Sequence, residues 1–168
     1  MNTCITLTAA ALIAGSALHA DIDVRFIEGA PKDRFVITSH SDCLNGPIDV
    51  AINLDGSAGG LIFDITSAGA GVEVFQPFEL VSGGDWVTKT PVVTDGDTAL
   101  SLSLSSLPKG QSVSFTLDVD DTGGAREITV SGGEIAGAGI MLAQGGKTYK
   151  ATFGDNARAK IAQSGCES

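Results

Sequence analysis

Apolar and small polar residues alternate with a period of two in one stretch of this chain after another, and that spacing restricts what the chain can become. The clearest case is residues 111–122. There Val113, Phe115, Leu117 and Val119 alternate with Ser112, Ser114, Thr116, Asp118 and Asp120. Successive side chains of a strand point to opposite faces, so this pattern predicts a strand with one face buried and one wet. The stretch closes on Asp118, Asp120 and Asp121, just before Gly123 and Gly124. It reads as a core strand whose polar face becomes an acidic tip.

The same period recurs along the chain. Ile22, Val24 and Phe26 alternate with Asp23 and Arg25, and Phe35 and Ile37 with Val36 and Thr38. Ile48, Val50, Ile52 and Leu54 alternate with Asp49, Ala51 and Asn53, and Leu100, Leu102 and Leu104 with serines. Further strands are predicted over 61–66, 72–81, 127–131, 135–142 and 147–153. A broken edge strand is predicted over 86–94, because Pro91 cannot donate to a ladder. Turn residues separate the segments, and the chain holds 22 glycines. One helix is a candidate, over 156–163 with Asp155 as its cap, although Ala157, Ala159 and Ile161 also fit a strand period. Many short alternating strands with frequent turn signals and almost no helix predict an all-β chain, a single Ig-like β-sandwich.

The first twenty residues carry no Asp, Glu, Lys or Arg, and 5–18 is an apolar run. It has the length of a signal-peptide core and is short for a bilayer span. Cleavage is expected after Ala20, which divides the chain into a signal peptide (1–20), a sandwich domain (21–146) and a basic C-terminal extension (147–168). Export to the periplasm or the cell exterior follows, with no membrane span left after cleavage. Cys43 and Cys166 then remain, and an even count in an exported chain points to a disulfide, with two unpaired thiols as the alternative. The bridge would clip the extension onto the sandwich.

The formal net charge is −10. Lys147, Lys150, Arg158 and Lys160 against Asp155 and Glu167 make the extension +2, so the body carries −12. That sign argues against nucleic acid and anionic membrane as partners of the body and suits cations. A hard divalent ion such as calcium takes several oxygens at once. Asp118, Asp120 and Asp121 would supply some, and loops at the same end of a sandwich could add Asp95 and Asp97, or Asp64. The bland alternative is that these aspartates serve their own turns. No EF-hand spacing is present. Catalytic material is thin: His40 is the one histidine after the leader, and Gly-x-Ser-x-Gly is missing. Glu73 and Glu79 would serve a carboxylate-dependent hydrolase only if paired across a cleft. The aromatics of 75–78 and Trp86 form either core or an adhesive patch.

Several stretches carry a family likeness. They are Val24-Arg25-Phe26-Ile27-Glu28-Gly29-Ala30-Pro31-Lys32-Asp33-Arg34-Phe35, Gly60-Leu61-Ile62-Phe63-Asp64, Gly71-Val72-Glu73-Val74-Phe75-Gln76-Pro77-Phe78-Glu79, and Phe115-Thr116-Leu117-Asp118-Val119-Asp120-Asp121-Thr122. Over 21–142 the chain resembles small exported bacterial proteins of the "aggregation factor core" type, related in name to sponge factors built from Calx-β sandwiches. The thin catalytic material points to no enzymatic activity, and the resemblance implies a Calx-β-like sandwich and a part in cell-surface adhesion or aggregation. It also implies calcium near Asp118, Asp120 and Asp121. The partner expected is a protein or a component of the cell surface or matrix, and oligomeric state stays open. The runner-up is a metal-free periplasmic binding or structural domain.

Overall fold

A computed structural model describes residues 21–65, 76–122 and 130–163. In chain order the strands are β1 (Ile22–Ile27), β2 (Asp33–Ser39), β3 (Ile48–Asn53), β4 (Ile62–Phe63), β5 (Glu79–Ser82), β6 (Val87–Lys89), β7 (Ala99–Leu104), β8 (Ser112–Leu117), β9 (Val119–Asp120), β10 (Gly139–Gln144), β11 (Lys147–Thr152) and β12 (Arg158–Ile161). Two five-stranded antiparallel sheets form, ordered β12-β1-β2-β8-β5 and β11-β10-β3-β7-β6, with β4 and β9 as a separate two-stranded ladder. Among the described residues the only helical turn is Gly84–Trp86. The fold is an all-β sandwich.

Alternation decides the interior. Ile22, Val24 and Phe26 of β1, Phe35 and Ile37 of β2, and Val113, Phe115 and Leu117 of β8 point inward from one sheet. Val50 and Ile52, Leu100, Leu102 and Leu104, and Ile140 and Leu142 face them from the other. Phe35 lies at the centre, its ring 5.2 Å from Phe26, 5.4 Å from Phe115 and 6.4 Å from Phe153. Burying a side chain of this class is worth about 1.5–3 kcal/mol, so a core of this extent needs few cross-links.

The structure departs from the expected elements in five places. The helix proposed over 156–163 is strand β12, paired with β1 from Ile22↔Ile161 to Arg25↔Arg158. Tertiary pairing outweighs weak helix propensity here, because Ala159 and Ile161 meet the core only in strand period. The segment 111–122 is not one strand: β8 belongs to a five-stranded sheet, and after a break at Asp118, β9 pairs with β4. The strand expected over 135–142 starts at Gly139; Ile135 instead plugs the core from a run of turns. That run is held by a close approach: Gly137 has φ 93°, and a Cβ there would sit 2.2 Å from the Gly56 oxygen. The strand over 61–66 shortens to β4, and the edge segment 86–94 pairs only over β6.

The basic extension, described as far as Gln163, contributes an edge strand to each sheet. Of the aromatics at 75–78 and 86, weighed as core or patch, Phe78 packs on Phe115 at 5.0 Å and Trp86 packs partly buried against the core. The signal peptide, residues 72–75 and 127–129 of two expected strands, and Cys166 lie outside the described residues.

Candidate functional site: a carboxylate cluster at one end of the sandwich

Asp33 opens β2 and is almost wholly buried. Its Oδ1 accepts a hydrogen bond from the Gly29 N–H at 3.0 Å, and its Oδ2 accepts one from Val119 at 3.2 Å. One carboxylate thus closes the β1–β2 turn and fastens that turn to the β8–β9 break. The break places Asp118 at the end of β8, and its carbonyl accepts the Asp64 N–H at 3.2 Å. β4 then runs beside β9, with Ile62 opposite Asp120. On its other side β4 meets the turn at Asp95 and Gly96: Phe63 donates to the Asp97 carbonyl and Gly96 to the Phe63 carbonyl, at 2.8 and 2.9 Å. The short β4 strand therefore brings Asp64 between two acidic turns far apart in the chain.

Among the described residues Asp64 is the carboxylate with both oxygens buried and out of reach of an N–H or hydroxyl donor. It is 2% exposed, and the Asp120 carboxyl beside it can hydrogen-bond to it only when one of the two holds a proton. Leaving a charged acceptor in that state is costly. Its surroundings make ionisation harder still. Burial first, then the neighbouring Asp120 carboxyl, able to share a proton with it, and the charges of Asp120 and Asp95 push Asp64 up to about 6. Asp118 is pushed up to about 7 by burial and by the charges of Asp120 and Asp64. Asp33 also reaches about 7, because burial and repulsion from Asp118 and Asp120 exceed the help of its two backbone hydrogen bonds. Among the described residues Lys32 lowers Asp118, less than burial and the neighbouring carboxylates raise it; its Nζ is already 3.1 Å from Glu79 Oε2 and 3.1 Å from the Pro77 carbonyl.

Of the residues predicted from sequence, Asp118, Asp120 and Asp95 come together around Asp64. Asp97 does not join them as a free ligand: its Oδ2 accepts the Thr94 N–H at 2.8 Å, the turn-forming role of an aspartate. Asp95 Oδ1 accepts a hydrogen bond from the Ile65 N–H at 2.8 Å. Asp121 follows β9 and is half-buried. Asp33 was missed because a turn ending in Asp looks ordinary in sequence; the signal was its place at the head of a strand beside the acidic one. Among the described residues no three Asp, Glu, His or Cys side chains already stand at ligating distances around one point. A bound cation would have to draw the carboxylates inward.

The other residues weighed for chemistry lie elsewhere. His40 is exposed at the opposite end, its N–H on the Asp21 carbonyl at 2.8 Å. Glu79 sits on an edge strand with Lys32, and Glu73 is outside the described residues. No family model, no curated protein and no solved structure matches this chain.

Proposed function

We propose that the chain is a non-enzymatic, exported β-sandwich that works in adhesion or aggregation at the cell surface or in the matrix, and that its acidic end takes up calcium. The observation that carries the metal half is the buried carboxylate of Asp64, which no N–H or hydroxyl donor reaches and which is set against other carboxylates, Asp120, Asp118 and Asp95. Clustered, desolvated carboxylates repel one another, and a divalent ion relieves that cost while supplying the missing partner. Asp64, Asp118 and Asp120 are the residues expected to ligate it, with Asp95 and Asp121 at the rim; Asp33 acts as the brace. The adhesive half rests on the sequence resemblance. The metal-free alternative is favoured by the same raised carboxyls, which can hold protons in place of an ion.

The disulfide between Cys43 and Cys166 belongs to this proposal. Gln144 Nε2 donates to the Cys43 carbonyl at 3.2 Å, and Gln163 Nε2 donates to Gln144 Oε1 at 3.3 Å. The chain end three residues before Cys166 is therefore tied to the loop that bears Cys43. Closing a loop of this length is worth about 4–5 kcal/mol on the chain-entropy account.

The test is thermal unfolding of the chain from Asp21 onward, in millimolar calcium and in chelator. Calcium is expected to raise the midpoint by mass action, and Asp64→Asn to abolish the rise. An unchanged midpoint in calcium removes the metal half and leaves the protonated alternative.

A further inference from the structure

The strand β12 that replaces the expected helix carries Arg158 and Lys160 on its outward face, and its pairing lays them beside β1. The register puts Lys160 opposite Asp23 and Arg158 opposite Arg25; β1 in turn sets Ile27 opposite Arg34 of β2. All four basic residues are exposed. Neighbouring strands are about 4.8 Å apart and same-face residues about 6.7 Å apart along a strand. Lys160, Arg158, Arg25 and Arg34 thus form a diagonal stripe on the order of 16 Å long across three strands. Among the described residues only Arg158 of the four meets a carboxylate, Asp23 Oδ2 at 3.5 Å. Within these pairings the four positive charges meet one carboxylate, Asp23, while Glu79, on the same face beyond Thr116, is held by Lys32; the corner is thus basic on a chain whose total is −10. Two arginines directly opposite each other are unfavourable in a sheet unless an anion lies between or over them.

We propose that this stripe binds a linear acidic polysaccharide, a sugar polymer bearing carboxylate or sulfate groups. The charges are arranged as a line on a flat exposed face, which suits an extended polyanion. A second copy of the chain fits less well, because its acidic end is a compact cluster around a buried residue. Single-stranded nucleic acid is disfavoured because, among the described residues, no aromatic side chain lies along the stripe, whose strand neighbours are Ile27, Val36, Thr38 and Thr116. Guanidinium groups bind such anions in a forked, two-bond geometry, and the adjacent threonine hydroxyls can bond sugar hydroxyls. The overall negative charge opposes approach, so binding is weak and strongly salt-sensitive. The proposal names the class of matrix component that the adhesive reading leaves open. It does not involve the acidic end, and measuring in chelator keeps its failure separate from failure of the calcium site.

The experiment titrates the chain from Asp21 onward with polygalacturonate and, separately, with dextran sulfate, at low salt in chelator. Binding to one or both is expected, with release by about 0.2 M salt; the two polymers separate carboxylate from sulfate recognition. Arg25→Ser/Arg34→Ser/Lys160→Ser should weaken binding by at least about tenfold while the melting midpoint holds, since Arg158 keeps its partner Asp23. The control Lys89→Ser/Lys109→Ser/Lys147→Ser makes the same charge change away from the stripe and should bind nearly as well. Binding to neither polymer, equal loss in the control, or equal affinity for single-stranded DNA would each overturn the proposal. So would loss of self-association in the stripe variant with polymer binding intact.

Discussion

The acidic end and the basic corner concentrate opposite charge on one sandwich, yet they do so in opposite solvents. Around Asp64 the carboxylates are buried or half-buried, so their charge is coupled to folding: ionisation raises the energy of the native state. Along Arg25, Arg34, Arg158 and Lys160 the charges stand in water, where they contribute little to stability and are free to meet a partner. Proximity of like charges alone does not make a site. What separates the two regions is desolvation, which turns repulsion at the acidic end into a demand for a proton or a cation.

The largest effect that can break this contrast is pH. Asp33, Asp64 and Asp118 have native values of about 7, 6 and 7, against 3.8 for the free group. Between about pH 4 and pH 7 the native state therefore holds more protons than the unfolded chain, and stability falls as pH rises. The contribution is fully present below about pH 4 and gone once pH passes the native values, so urea midpoints should be higher at pH 5 than at pH 8. Midpoints rising over that interval would show that the carboxylates are not strained. Next in size, Asp33→Ala strips the partners from the buried Val119 N–H and the part-buried Gly29 N–H and should cost about 2–4 kcal/mol at pH 5, read by urea unfolding. At pH 8, calcium at a hundred times its dissociation constant should restore about 2.7 kcal/mol. Arg25→Ser is expected to stay within about 0.5 kcal/mol at either pH. A larger loss would mean that the basic corner too is wired into folding.

The sequence disclosed some of this unevenly. Wherever one face is buried and the other wet, the pattern has an unambiguous period, and β1, β2, β3, β7, β8 and β11 follow it closely. The pattern was weaker at Ala157, Ala159 and Ile161, where small residues satisfy helix and strand alike, and only the partner β1 resolved them. In 111–122 the alternation runs unbroken through a point where the backbone changes sheets, because Asp118 can end one ladder without disturbing the period. Asp118, Asp120 and Asp95 were visible as an acidic tip and an acidic turn. Asp33 and the isolation of Asp64 were not, since burial and the absence of a hydrogen-bond donor are properties of neighbours rather than of residue type.

From its residues alone the chain was committed to two apolar faces closing on each other, because side-chain period is a local property written in every strand. Which aspartate lost its water, and which basic residues lined up across three strands, depended on pairings such as Asp64 with the β9 ladder and Arg158 with Arg25. Those pairings join residues far apart in the chain. Desolvation and charge alignment arise only when the strands dock, so the tertiary structure alone decided them.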